Sequence, residues 1–169
     1  HADGYPGYHS LPENIRVVGC WAHARRKFDE AVNSLPKQEQ AGSAALEGQR
    51  YCSALFALEK EFAGLTAEER YKQRQERAKP VLDALLSWSE TKKAPPKSAL
   101  GKALHYLREQ WPWLIRYLED GRLAISNNRA ERSIKPFVMG RKNFLFANTP
   151  NGAHGSAIIF SMIETANEN

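Results

Sequence analysis

Residues 126–146 read Ser-Asn-Asn-Arg-Ala-Glu-Arg-Ser-Ile-Lys-Pro-Phe-Val-Met-Gly-Arg-Lys-Asn-Phe-Leu-Phe, and the interpretation of the whole chain starts from this stretch. Two asparagines open a predicted helix, which Gly140 is expected to end. Glu131 lies in the first predicted turn and is the only carboxylate of the stretch. The cations around it are Arg129, Arg132, Lys135, Arg141 and Lys142. This pattern fits an acid that holds a metal ion while its basic neighbours hold a phosphate backbone.

Glu131 also has a purely structural interpretation. Asn128 and Glu131 have the spacing of a capping box, in which each side chain accepts a hydrogen bond from the backbone N–H of the other residue. A carboxylate in the first turn is also stabilised by the helix dipole. From the pattern alone, helix capping by Asn127 or Asn128 and metal binding by Glu131 both stay open.

The composition is that of a globular protein with an excess of basic residues. The chain has 169 residues, 42% of them hydrophobic and 25% charged, and its formal net charge is +5. This length suffices for one domain with a sizeable core, and the positive charge favours a polyanionic partner. No apolar run approaches the roughly 20 residues of a membrane span. Two cysteines do not make a disulfide framework, so we expect a reducing, cytoplasmic setting and no membrane partner.

Patterning along the chain predicts a mainly α-helical fold with one or two short β-strands. Residues 15–19 are β-branched and apolar, as a strand requires, and residues 143–147 form a second candidate. A capping box at Thr66 begins one helix, which Pro80 should kink or split. Further helices are predicted over residues 21–32, 38–64, 98–110 and 153–166. The side chains that we expect the last helix to pack inward are Ile158, Ile159, Met162 and Ile163.

Cys20 and His23 have a spacing that occurs in metal sites. A structural zinc site needs about four ligands at paired spacings, and Cys52, the other cysteine, has no pair of histidines near it in the sequence. We therefore expect Cys20 to pack as a small hydrophobic residue and His23 to make a structural or active-site hydrogen bond. The Asp3-Gly4 pair is typical of a turn, in which the aspartate caps the backbone.

Three motifs in this order resemble the bacterial insertion-sequence transposases of the family numbered sixty-six. The first is Asp3-Gly4-Tyr5, and the second is Gly-Cys-Trp-Ala-His-Ala-Arg-Arg-Lys-Phe at residues 19–28. The third is Asn-Asn-x-Ala-Glu-Arg-x-Ile-x-Pro at residues 127–136, followed by Gly-Arg-Lys-Asn at residues 140–143. The terminal residues 161–166 also fit, so the resemblance extends from one end of the chain to the other.

The resemblance implies a DDE transposase with an RNase H-like catalytic core. In such cores two aspartates and a glutamate hold two Mg²⁺ or Mn²⁺ ions, and here Asp3 would be the second aspartate and Glu131 the glutamate. Cys20 and His23 would form a supporting pair, as in related transposases. The residues that would contact DNA phosphates are Arg129, Arg132, Lys135, Arg141 and Lys142. The helix cap formed by Asn127 and Asn128 would support Glu131.

The resemblance also implies how the chain is divided. Residues 1–35 would be the end of the RNase H-like core, residues 36–120 a helical insertion, and residues 121–169 the rest of the core with the glutamate helix. The first catalytic aspartate of the family should lie upstream of Asp3, which only two residues precede here. Ser126 stands where the family is expected to have an aspartate. We therefore expect a C-terminal part of the catalytic domain that is inactive alone.

In the intact protein this domain would cleave phosphodiester bonds and transfer strands of an insertion sequence. Its partners would be the DNA of the element ends and of the target, together with further copies of itself in a transposition complex at the bacterial nucleoid. The alternative is a non-catalytic helical module from a truncated element, which binds DNA or another protein. A steep salt dependence of DNA binding separates a DNA-binding module from a protein-binding one.

Overall fold

The computed structural model of the chain describes Pro12, residues 15–143 and residues 149–168, except for the side chains of residues 141–143 and 168. It divides into two compact units, His1–Ser126 and Asn127–Asn169. The helices of the first unit are α1 (Trp21–Asn33), α2 (Lys37–Gln40), α3 (Ala44–Glu61), α4 (Ala67–Gln73), α5 (Lys79–Thr91) and α6 (Ala99–Leu114). Those of the second are α7 (Asn128–Asn143) and α8 (Pro150–Glu168). The predicted, mainly helical character is confirmed, whereas the RNase H-like core and the three-segment division stay predictions.

Short hydroxyl side chains fix the beginnings of three helices in the first unit. Ser43 accepts a hydrogen bond from the backbone of α3, and Ser98 does the same for α6. At α4 the predicted capping box is present: the Glu69 backbone N–H donates to Thr66 Oγ1 at 3.3 Å, and the Thr66 N–H donates to Glu69 Oε2 at 2.9 Å. These bonds satisfy backbone donors that the first helical turn leaves without partners.

The helix that we expected Pro80 to kink or split is divided just before this residue into α4 and α5. Arg74–Ala78 form a π-helical turn between α4 and α5, in which the Lys79 N–H donates to the carbonyl of Arg74. Pro80 has no N–H of its own, so the regular ladder of hydrogen bonds is interrupted at this point. Arg74, the first residue of this turn, has a fully buried side chain.

The core of the first unit lies on both sides of α1, which packs against α3 and α6. The buried Trp21 donates from Nε1 to the Leu114 carbonyl of α6 at 2.9 Å. On the other side, Phe28 lies directly over Gly48 of α3, where an added Cβ would come within 2.4 Å of the ring. Gly48 therefore permits the close approach of α1 and α3. Other fully buried side chains of this core are Leu55, Phe62, Leu82, Leu85, Leu107 and Tyr117.

The strand predicted at residues 15–19 is wrong. The Gly19 N–H donates to the Trp113 carbonyl at 2.9 Å, and Arg116 Nη1 donates to the Val17 carbonyl at 2.8 Å. The backbone of this segment is thus bonded to the end of α6 and the turn after it, and the described part of the chain contains no regular strand. Of the second predicted strand, residue 143 is the last residue of α7, and residues 144–147 lie outside the described residues.

The second unit is a pair of helices that pack through Phe137 of α7 and Phe160 of α8, with ring centroids 5.4 Å apart. α7 continues through Gly140, which we expected to end it and which is instead a buried packing position. The prediction that α8 packs its isoleucines and Met162 inward is wrong, because α8 contacts α7 through the face of Phe160. The outer apolar face of α8 consists of Ile158, Ile159, Met162 and Ile163, which are 48–68% exposed.

Candidate nucleic-acid and metal-binding site

The first turn of α7 presents Glu131. The backbone N–H of Glu131 donates to the Asn127 carbonyl at 2.9 Å. Because the carbonyl of an N-cap residue accepts the first bond of a helix, Asn127 occupies the N-cap. The cap thus lies one residue earlier than in the predicted capping box of Asn128 and Glu131. The side chain of Glu131 is exposed on α7 and is not enclosed in an apolar core.

Three of the predicted DNA-contacting residues lie along the same helix as Glu131. Arg129, Arg132 and Lys135 are all exposed and follow each other at intervals of three residues. Two steps of three residues correspond to a rise of roughly 9 Å along the helix axis. Exposed cations distributed in this way carry positive charge on both sides of the glutamate, as contact with a phosphate backbone requires. The side chains of Arg141 and Lys142 lie outside the described residues.

Glu131 also has apolar neighbours on α7. Ile134 and Val138 follow it at helical spacings of three and seven residues, and their side chains are 57% and 44% exposed. Residues at these spacings lie on one face of a helix. The carboxylate therefore lies beside exposed apolar side chains, with the cations of α7 around it.

The two helices of the second unit enclose a concavity of about 370 Å³. Its lining includes Ser133 and Phe137 of α7 and Ser161 and Glu164 of α8. Glu164, near the end of α8, is half-buried in this lining. It follows Phe160 by four residues, which places both side chains on the face of α8 that meets α7.

The structure does not bring a set of acidic metal ligands together in its described part. The residues that it describes include no group of three or more His, Cys, Asp or Glu side chains placed to hold a metal ion. Asp3, the predicted partner of Glu131, lies outside those residues. A carboxylate is the hard oxygen ligand that Mg²⁺ prefers, so the chemistry of Glu131 fits this ion.

Cys20 and His23 lie at the start of α1, in the first unit. Cys20 is fully buried, which confirms its prediction as a small hydrophobic residue, and the backbone N–H of His23 donates to the Cys20 carbonyl at 3.2 Å. Cys52 is also fully buried, and burial raises the pKa of its thiol to about 12. A thiol with so high a pKa is protonated and unreactive at neutral pH. The supporting role of Cys20 and His23 at the catalytic site stays a prediction.

The sequence of the chain matches a model of a protein family and is similar to several known proteins. The family model described as "Transposase IS66 family" matches residues 1–155. Three proteins of Sinorhizobium fredii (strain NBRC 101917 / NGR234), each named as an uncharacterized protein, are similar to the chain. The protein y4hP is 33% identical over 92% of the chain and 30% of its own length. The protein y4jD is 33% identical over 97% of the chain and 33% of its own length, and y4qI is 34% identical over 99% and 32%.

The chain thus spans about a third of the length of the curated relatives it matches. No solved structure matches it. Among the described residues, no helix is both long enough and apolar enough to cross a membrane.

Proposed function

This chain belongs to the IS66 family of transposases, and we propose that it forms part of a DDE-type catalytic domain that cuts and joins DNA at the ends of an insertion sequence. The observation that carries the proposal is the exposed Glu131 in the first turn of α7, with the exposed cations Arg129, Arg132 and Lys135 on the same helix. In this proposal the glutamate is a catalytic metal ligand and the cations hold DNA phosphates. An RNase H-like core, completed by other parts of the intact protein, would carry α7.

The metal part of the proposal assigns Glu131 and Asp3 as carboxylate ligands of Mg²⁺ or Mn²⁺. Two such ions, when bound, stabilise the charge on the attacking and leaving oxygens of a phosphodiester. The exposure of Glu131 supports this role, because the carboxylate is accessible to an ion and to DNA. Asn127 would keep the carboxylate in position, since its carbonyl accepts the hydrogen bond from the Glu131 backbone.

The DNA part of the proposal rests on electrostatics. Arg129, Arg132 and Lys135 would neutralise backbone phosphates and release counterions, which makes binding strongly dependent on salt. Such contacts position DNA without reading its sequence. The proposed substrates are accordingly the element ends and the target DNA, held by several copies of the protein in a transposition complex at the nucleoid.

The proposal is tested by Glu131→Gln in the intact transposase that contains this sequence. Glutamine keeps the size of the side chain and removes the negative oxygen from the metal ligand. Strand cleavage with Mg²⁺ or Mn²⁺ should fall by orders of magnitude, because charge stabilisation by a metal ion is worth several kcal/mol. Glu39→Gln, which changes an exposed glutamate of α2, is the matched control and should leave cleavage unchanged. Cleavage by the Glu131→Gln protein at the rate of the control would disprove the catalytic assignment.

A second candidate is a non-catalytic DNA-binding or interaction module from a truncated element. The observation that favours it is that the exposed cations Arg129, Arg132 and Lys135 suit DNA phosphates without any metal ion. Under this alternative the chain binds DNA, Glu131→Gln leaves binding and every other activity intact, and only changes to the cations have an effect. Measuring cleavage and DNA binding for the same glutamine variant therefore separates the two candidates.

A further inference from the structure

A second basic surface lies in the first unit, where the segment 92–98 connects α5 to α6. Its residues line a concavity of about 620 Å³. The charged and titratable side chains of this lining are Glu90, Lys92, Lys93, His105 and Arg108. Glu90 is the carboxylate among them, so positive charge prevails. Lys97 and Lys102, both exposed, adjoin the lining residues Pro96 and Gly101 and extend the positive charge.

The backbone of this surface is held in place by bonds of its own. The Pro95 carbonyl accepts hydrogen bonds from the N–H of Ser98 at 2.9 Å and from its Oγ at 2.7 Å. A Cβ added to Gly101 would come within 2.1 Å of that carbonyl oxygen, so the segment lies directly on the first turn of α6. Arg108 Nη2 donates to the carbonyls of Ser89 and Lys92, which joins α6 to the end of α5. Because the segment is fixed in advance, a ligand need not order it on binding.

The cations differ in how far they are engaged within the protein. Lys92 forms an ion pair with Glu47 at 3.3 Å, and His105 lies 3.5 Å from Glu109. Lys93, Lys97 and Lys102 form no ion pair with any residue that the structure describes. Arg108 uses Nη2 for the backbone, which leaves its Nε and Nη1 donors for a ligand. Lys93 and Arg108 are therefore the groups in the lining that are available to bind an anion.

We propose that this concavity binds the sugar-phosphate backbone of duplex DNA, as a second contact surface separate from α7. The available cations suit phosphate oxygens, while the apolar lining residues Ala94, Pro96 and Leu104 suit a deoxyribose better than a bare inorganic anion. The volume falls within the range of roughly 300–1,000 Å³ that holds a small organic group. The inference rests on the proposed DNA-binding function and adds a location for it in the helices of the first unit.

The test compares two charge reversals in the 169-residue chain, Lys93→Glu and Lys60→Glu. Both lysines are exposed and have no ion pair among the described residues, but Lys60 lies near the end of α3 and does not line the concavity. Fluorescence anisotropy with a labelled duplex gives the affinity over a range of salt concentrations. At about 0.1 M salt, Lys93→Glu should weaken binding roughly five- to tenfold more than Lys60→Glu, because one phosphate contact carries a salt slope of about 0.9. The salt slope of the Lys93→Glu protein should fall by about one.

Two further measurements, on Arg132→Glu and with inorganic phosphate, show which proposal is wrong if the expected result is not obtained. Arg132→Glu, on α7, is measured in parallel as a test of the proposed function. If Arg132→Glu weakens binding while Lys93→Glu and Lys60→Glu behave alike, this inference is overturned and the proposed function stands. If the unmodified chain binds no DNA, both are overturned. If inorganic phosphate displaces DNA from the unmodified chain better than chloride of equal ionic strength, but not from the Lys93→Glu protein, the concavity is a small-anion site and the DNA assignment is overturned.

Discussion

Arg74 joins three parts of the first unit through one side chain. Its guanidinium forms two hydrogen bonds of 2.7 Å with the Glu59 carboxylate of α3. It also donates to the carbonyls of Tyr117, Asp120 and Leu123 at 2.7, 2.9 and 2.8 Å. The side chain is fully buried, and its counter-ion Glu59 is 12% exposed. These hydrogen bonds satisfy three backbone carbonyls in the segment that follows α6 in the chain.

At the residue scale we predict a large difference between two arginines of the same π-helical turn. Arg74→Gln should lower the free energy of unfolding by about 3–5 kcal/mol, since it removes one partner of a buried ion pair. Arg77→Gln should lower the free energy of unfolding by less than about 1 kcal/mol. Arg77 forms an ion pair with Glu61, but the two side chains are 43% and 56% exposed. Urea denaturation of both proteins measures the difference. If both variants lost the same free energy of unfolding, the buried ion pair of Arg74 would stabilise the chain no more than the exposed one of Arg77.

A second residue-scale prediction concerns acid stability. Hydrogen bonds from the side chain and backbone of Arg122 lower the pKa of Asp120 from 3.8 to about 2. Because the folded state favours the ionised form, this contribution to stability is present above the unfolded pKa and is lost as the pH falls from about 4 to about 2. Asp120→Asn should therefore reduce the pH dependence of unfolding in this window.

Urea denaturation at a series of pH values checks this prediction. Arg122→Met serves as the companion variant, because it removes the side-chain donors and leaves the backbone donor to Asp120. It should reduce the pH dependence in the same direction as Asp120→Asn. An unchanged slope for Asp120→Asn would show that the Asp120–Arg122 pair does not contribute to acid stability.

At the scale of elements, the contact of α1 with α3 depends on the absence of a side chain at Gly48. We predict that Gly48→Ala destabilises the chain by about 1–3 kcal/mol, because the new methyl group overlaps Phe28 and Trp88. The gain in helix propensity from glycine to alanine, at most about 1 kcal/mol, opposes this loss without cancelling it. Gly64→Ala is the matched control, since nothing lies within 4 Å of the position that its Cβ would take, and it should be neutral or stabilising. Thermal unfolding that ranks the two variants in the reverse order would contradict the assigned packing.

Elements that are determined by local signals were predictable from the sequence. The capping box of Thr66 and Glu69 involves residues three apart, and the effect of Pro80 follows from its own missing N–H. The segment 15–19 was not predictable in this way, because its backbone bonds to Trp113 and Arg116, almost a hundred residues later. A β-branched run indicates an extended chain but does not indicate what that chain is bonded to.

In the candidate site, too, a position set by neighbouring residues was predictable, whereas a position set by contact between helices was not. The position of Glu131 in the first turn of α7 follows from the asparagines before it, and the structure shifts only the cap, from Asn128 to Asn127. The inward position of Glu164 depends on which face of α8 meets α7, and periodicity does not decide this for a helix with apolar residues on several faces. The pairing of Asp3 with Glu131 rests on the family resemblance and stays a prediction.

At the scale of the whole molecule, the two units differ in how they bury their apolar residues. The first unit has a closed core around α1, whereas α7 and α8 contact each other through one face each. Ile134, Val138 and Met139 of α7 are 44–57% exposed, in addition to the outer apolar face of α8. A helix that is apolar on all sides is normally buried on all sides. Contiguous exposed apolar side chains mark an interaction surface, so we expect the 169-residue chain to associate in solution.

The last prediction tests whether the outer apolar face of α8 causes this association. Ile159→Lys combined with Met162→Lys should shift the chain towards monomer, because two charges replace two of its most exposed apolar side chains. The matched control is Ile15→Lys combined with Tyr71→Lys, which changes two exposed apolar residues of the first unit by the same charge. Sedimentation velocity over a concentration series should show a lower apparent mass for the α8 variant alone. Since all four positions are exposed, the free energy of unfolding should change little in either protein. A chain that is monomeric at high concentration, or one that both variants dissociate equally, would show that α8 presents no specific association surface.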